Sequence, residues 1–382
     1  MEHRKDQSWR RTISVLGLVV LVAPGRGGAA GEDVLSDEAF KIPLWNYAAE
    51  LRGGFGYKDN VLLSHTNTQG SAFWMSSAEL MIFRLPTHGW QFNFFADASD
   101  ARYFNSPDVD NEQTALAAAQ LSKDFGHGWE STLSLNYLYQ NQVFDYSANY
   151  YSNQSSVGKI LGHTLMPRWA LRKNLGAFWI EGEASGTRQW LDEPLDSYWQ
   201  IGPRAVAGYG WGRGSELAVS YQYARLDYDN REQVDVQGAA VTNTVLALNT
   251  HLAELCLTHY LDEKRHWQTG TAFGYEVSLD NGWGFYDYDN YRLSQQVRYR
   301  DQNWEITARA RVSHYQYAIQ TVSDTDTELR YKTMVSFGLR VERKLAKHLK
   351  AHASYSWDRS LSNLEFDDYQ ASVIAGGLAL MF

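Results

Sequence analysis

The 382-residue chain predicts an all-β fold, a transmembrane antiparallel up-and-down β-barrel of about 16 strands. Three observations predict it. Segments of about ten residues alternate apolar and polar side chains, the length a tilted strand needs to cross a bilayer. The connections between these segments alternate short and long. Tryptophans mark one end of the segments and tyrosines the other.

The composition suits that fold. Aromatic residues make up 14% of the chain and proline occupies only 7 positions, a balance favouring many strands with amphipathic anchors. The net charge of −9 speaks against nucleic acid as a partner. Cys256 is the one cysteine, which rules out an intrachain disulfide and reads as a small apolar strand residue rather than a catalytic thiol.

Residues 1–30 read as a cleaved signal peptide. Arg4, Lys5, Arg10 and Arg11 form a basic start, Ile13–Val22 a short apolar core, and Gly28-Ala29-Ala30 the small residues before a cut expected after Ala30. The Arg10-Arg11 pair also fits a twin-arginine signal, which exports folded proteins. A barrel crosses unfolded, so the general secretory route is expected. Residues 31–43 are then a short periplasmic segment, too short for a plug domain, and 44–382 the barrel.

Successive strand side chains point to opposite faces. From Trp45, one face reads Trp45, Tyr47, Ala49, Leu51, Gly53, Phe55, Tyr57; the other reads Asn46, Ala48, Glu50, Arg52, Gly54, Gly56, Lys58. The same split recurs from Trp129, Trp267 and Leu329. Short turns are expected at Leu85–Gly89, Gly126–Gly128, Lys173–Gly176, Gly210–Gly214, Asp262–His266, Asp301–Asn303 and Ala346–His348. Longer polar loops fall near 58–70, 104–111, 142–155, 189–196, 228–243, 280–286, 319–327 and 359–368. Trp45, Trp90, Trp129, Trp267 and Trp304 open strands leaving the short turns, and Tyr57, Tyr103, Tyr139, Tyr228 and Tyr317 sit at loop-side ends. Amphipathic rings gather where hydrocarbon meets headgroups, so these read as two aromatic girdles. A soluble sandwich explains no such marking, and a propeller blade needs four short strands in about 40–50 residues, where this chain places two long ones.

The last strand carries Ile374, Leu378 and Leu380 on one face and ends in Phe382. This resembles the terminal-aromatic strand, an assembly signal, of the Gram-negative outer-membrane β-barrel superfamily, and the porin-like resemblance covers the whole exported chain. It implies residence in the cell outer membrane, insertion by the barrel-assembly machinery, contact with outer-membrane lipid and lipopolysaccharide, and no cofactor. Gly56-Tyr57-Lys58-Asp59-Asn60-Val61 resembles the opening of barrels linked to exopolysaccharide export and surface-lipoprotein assembly.

Sixteen-stranded barrels are wide enough for an aqueous channel. Arg292, Arg298, Arg300, Arg309, Arg311, Arg330, Lys332, Arg340 and Lys350 fall on inward registers near the C-terminus, a basic wall that would attract anions. The alternative is that these charges only solvate the lumen and pair with Glu305, Glu342 and Asp358. Loop acids, such as Asp108, Asp110, Asp227, Asp229, Asp324, Asp326, Asp367 and Asp368, lack the spacing of a calcium loop and read as solvated charge. No histidine accompanies a serine-nucleophile motif. His348 and His352 lie about 13 Å apart at strand rise, too far to share a metal, so neither enzyme nor metal site is expected. The expectation is a porin-like channel for passive diffusion of small hydrophilic solutes, anionic ones among them. The alternatives are a barrel serving polysaccharide export or surface-component assembly without free conduction, and a closed structural or adhesive barrel.

Overall fold

The computed structural model describes residues 44–147, 157–212, 214–323 and 326–382. The signal peptide and periplasmic segment expected before Leu44 lie outside them.

Sixteen long strands close into one barrel, the number the sequence predicts. In chain order they are β1 (Trp45–Lys58), β2 (Ser71–Thr87), β3 (Trp90–Tyr103), β4 (Asn111–Gly126), β5 (Trp129–Asp145), β6 (Val157–Leu175), β7 (Phe178–Leu191), β8 (Tyr198–Trp211) and β9 (Ser215–Tyr228). After the two-residue strands β10 (Gln233–Val234) and β11 (Ala240–Val241), which pair within one loop, come β12 (Ala247–Tyr260), β13 (Trp267–Asp280), β14 (Tyr288–Arg300), β15 (Trp304–Ser323), β16 (Asp326–Ala346), β17 (Leu349–Ser362) and β18 (Tyr369–Met381). Each barrel strand pairs antiparallel with its neighbours in sequence, and β1 closes the ring on β18 from Glu50↔Met381 to Lys58↔Val373. Among the described residues a single 3-10 turn, Glu365–Asp367, lies in the last loop.

Strand alternation sorts the side chains as expected. Tyr47, Leu51, Phe55 and Tyr57 of β1 and Ile374, Leu378 and Leu380 of β18 are exposed on the outer wall, while Glu50, Arg52 and Lys58 turn inward. An outer surface this apolar over many strands is covered only by lipid. The closure seam is built of glycine. A Cβ on Gly54 would overlap the Gly376 carbonyl oxygen, and one on Gly377 the Gly53 carbonyl oxygen, so the two strands approach as only glycine allows.

The turn end repeats one device. His88-Gly89 and His127-Gly128 adopt left-handed φ values of 52 and 80°, the two-residue turn that matches strand twist. Lys123 Nζ donates to the His88 carbonyl at 2.6 Å and lies 5.0 Å over the Trp90 ring; Lys173 Nζ donates to the His127 carbonyl at 2.7 Å and lies 4.8 Å over Trp129. Arg343 covers Trp304 at 5.0 Å. Trp45, Trp90, Trp129, Trp267 and Trp304 are all exposed on the outer wall at this end.

The loop-end girdle is corrected. Tyr57 and Tyr139 lie on the outer register, but Tyr103, Tyr228 and Tyr317 point into the barrel. Tyr103 donates to Glu112 at 2.7 Å, and Tyr228 and Tyr317 are buried under the loops. On β3 the outer residues are Trp90, Phe92 and Phe94, so Tyr103 has inward parity; nearness to a strand end does not override the period of two. Trp190 and Trp199 are exposed at this level instead, with Arg188 lying 5.4 and 4.9 Å from their rings.

Buried apolar residues concentrate at the loop end. Val61 and Leu63 of the first loop, Val109 of the second, Val143 of β5 and Tyr369 of β18 form one cluster; Tyr228, Leu246, Leu248, Phe285 and Tyr286 form a second. These loops pack over the barrel mouth.

Candidate functional site

The lumen wall is divided by charge around its circumference. The inward positions of β2–β5 carry Glu79, Asp97, Glu112, Asp124 and Glu130, and no cation among the described residues. Those of β14–β16 carry Arg292, Arg298, Arg300, Arg309, Arg311, Arg330, Lys332 and Arg340 against the acids Glu305 and Glu342. In the strand order β4 and β14 stand half a ring apart, so the acidic and basic walls face each other across the lumen.

Few of the basic wall's charges stand alone. Arg292 pairs with Glu276 at 3.2 Å, Arg298 with Glu305 at 3.0 Å, and Arg300, at the turn-side rim, lies 3.9 Å from Glu305. Arg309 donates to Gln296 at 2.6 Å, and Arg311 lies opposite Ser336 with Glu276 and Asp358 among its charged neighbours. Arg340 pairs with Glu342, which also accepts from Arg52 at 3.1 Å. Lys350 pairs with Glu50 at 2.9 Å and approaches Glu342 to 3.8 Å. The ion pairs with Glu305 and Glu342 are those named by the alternative reading of these charges.

Arg330 and Lys332 do a different job. Both lie at the loop end of β16, and their side chains are 1% and 0% exposed. Lys332 reaches Asp145 at 2.7 Å and the Ser147 hydroxyl, and Arg330 donates to the Ser147 carbonyl at 2.7 Å, to Gln320 at 2.7 Å and to Asp367 at 2.5 Å. Asp145 ends β5 and Ser147 follows it, and β5 stands seven strands from β16 by the shorter way round. The top of β5 therefore leans across the lumen and is held to the far wall. Its near side is held too, since the Val143 N–H donates to Glu112 at 3.0 Å and Glu112 faces the fully buried Lys58 at 3.7 Å. Burying a charge is costly unless it is paired, and each of these cations faces a carboxylate. Arg330 and Lys332 tie the loop end of β5 to the opposite wall. Alternation places Arg330, Lys332 and Lys58 inward, but nothing in the sequence pairs them with Asp145 or Glu112, because those partners come from aperiodic strand ends and distant strands.

Comparisons with known proteins come from structure alone. No protein-family model matches the chain, and no curated protein aligns with it. Among solved structures, OccAB1 of Acinetobacter baumannii matches with a TM-score of 0.47 and 8% identity, over 88% of this chain and 97% of its own. In-vitro folded OmpT, an outer-membrane protein of Vibrio cholerae, matches with a TM-score of 0.45 and 10% identity, over 88% and 97%. The copper transporter OprC matches with a TM-score of 0.42 and 12% identity over 83% of this chain, which spans 63% of OprC's length. The chain is similar to these outer-membrane barrels in architecture.

Proposed function

We propose that the protein is an outer-membrane channel for passive diffusion of small hydrophilic solutes, whose anionic groups are drawn to the β14–β16 wall. The observation that carries this reading is a closed barrel, apolar outside, with opposed acidic and basic walls inside. Low-dielectric walls focus such a field across the lumen, where it orients a polar solute as it passes. The contacts of Asp145 and Ser147 with β16 make the constriction that limits solute size. In this reading the short turns face the periplasm, the loops face outward among lipopolysaccharide, and the barrel-assembly machinery inserts the chain.

Ion currents through the purified protein in planar bilayers test the reading: discrete conductance steps support it, and their absence refutes it. A closed structural barrel is the second reading, favoured by the two apolar loop clusters over the mouth. It predicts a folded, inserted protein without conductance.

A further inference from the structure

Between the acidic and basic walls, on the side where β17, β18 and β1 separate them, the lumen wall has a recess. It adjoins the closure seam, which between the inward pairs Arg52–Ala379 and Lys58–Val373 carries only the small residues Gly54, Gly377, Gly56 and Ala375. A cavity of about 50 Å³ lies there, several times the roughly 10–15 Å³ that one water needs. Three kinds of chemistry border it.

On one side stand cations. Arg52 and Arg340 line the cavity, and both guanidinium groups reach Glu342. Beside them His352 has both ring nitrogens shielded from solvent and without a hydrogen-bond partner. A buried polar group without a partner costs free energy, and a solute that supplies the partner recovers it. On a second side Phe73, Met75 and Val373 make an apolar wall, with the Phe73 ring lying over Gly56. On the third, Ser77 and Ser99 line the cavity, and one register step below them Glu79 faces Asp97 across β2 and β3. Glu112, at the upper edge, already accepts from the Tyr103 hydroxyl and the Val143 N–H.

Charge decides which solute fits. Arg52, Arg340 and Lys350 pair with Glu50 and Glu342, and Glu79 and Asp97 add negative charge on the neighbouring strands, so the surroundings hold no excess of positive charge to bind a simple anion. They hold separated charges of both signs beside an apolar wall. We propose that this recess binds small apolar α-amino acids. The carboxylate meets Arg52, Arg340 and His352, the ammonium group lies toward Glu79 and Asp97, and the side chain packs against Phe73 and Met75. This deepens the channel reading by naming a solute class that the lumen retains weakly on its way through. Equilibrium binding needs no conduction, so either reading can fail without the other.

Equilibrium dialysis of labelled L-leucine against the full chain folded in detergent micelles, with empty micelles as the blank, tests the inference. Saturable binding is expected, and 4-methylpentanoate, isopentylamine and glycine should each need about tenfold more ligand than leucine to compete. Ser77→Leu fills the recess and should abolish binding. His352→Phe keeps the ring but removes the nitrogens and should weaken binding by about tenfold. Folding of each variant is checked by its heat-dependent gel mobility. Absence of saturable leucine binding up to about 100 mM overturns the proposal. So does competition by 4-methylpentanoate equal to leucine's, or wild-type affinity in both folded variants.

Discussion

Lys332→Met isolates the contact that holds the top of β5 across the lumen. Methionine keeps the length of the side chain and removes its charge, leaving Asp145 buried with the Ser147 N–H at 3.1 Å and the Ser147 hydroxyl at 2.7 Å but without the Lys332 ammonium group. Removing one partner of a buried ion pair costs about 3–5 kcal/mol. Here the loss has an outlet, because the strand end can swing from the far wall and return Asp145 to water. At about 1.4 kcal/mol per tenfold, the ratio of seated to released states then falls by between about a hundredfold and a few thousandfold. Single-channel recordings should show a larger mean conductance and added current noise. The double variant Lys332→Met with Asp145→Leu should restore the wild-type trace, because apolar replacement of a buried pair is neutral or stabilising by about 1–4 kcal/mol. Wild-type conductance and noise in a folded Lys332→Met barrel would refute the constriction. Equal conductance of the single and double variants would refute the charge argument behind it.

Other outcomes are specific to single features. Gly54→Val should leave most of the protein in the slow-migrating unfolded form on a cold gel, since its branched side chain meets the Gly376 carbonyl; normal heat-modifiable folding would remove the close-seam argument. Replacing Arg298, Arg309, Arg311 and Arg340 together with Gln subtracts four charges whether or not each is paired, so reversal potentials should move toward cation selectivity, most at low salt where the Debye length is long. An unchanged reversal potential counts against the basic wall. Asp301 accepts from the Tyr299 hydroxyl at 2.6 Å and from the N–H groups of Trp304 and Asn303, each at 2.7 Å, which hold its carboxyl below the usual range. Its stabilisation is therefore complete above the unfolded value of about 4 and is lost as pH falls through the lower folded value. The melting temperature of Asp301→Asn should accordingly fall less than wild type's over that acid range, and parallel curves would refute the cap. Protease sites inserted at Gly238 should be cut on intact cells and those at His127 should not; the reverse would invert the topology.

Strand number, closure and the inward placement of the basic residues follow from a single local rule, alternation with period two, which is why they are legible in sequence. Parity also contained the answer for Tyr103, Tyr228 and Tyr317. On β9, Leu217, Val219 and Tyr221 face outward, which puts Tyr228 inside. Position near a strand end suggested a girdle, but the register outranks it. The mouth is different in kind. Lys332 and Asp145 are 187 positions apart, and Arg330 and Ser147 are 183 apart. Such pairs meet only after the ring closes and the strand ends lean inward, and no local pattern encodes that.

On the channel reading, the same geometry predicts a highly charged lumen without strong ion selectivity. Had the cations been spread evenly around the ring, their fields would add along the axis and admit anions wholesale. Gathered on β14–β16 opposite the acids of β2–β5, they produce a field that points across the pore, and acid–base pairs such as Arg298 with Glu305 further reduce its axial part. A transverse field exerts little net pull on a simple ion but a torque on any solute whose charges are separated, and low-dielectric walls strengthen that torque. Discrimination then depends on how a solute's charges are arranged as much as on their sum. The seam recess lies between the two walls, so a solute turned by the field presents its carboxylate to Arg52 and Arg340 and its ammonium group to Glu79 and Asp97 without further reorientation.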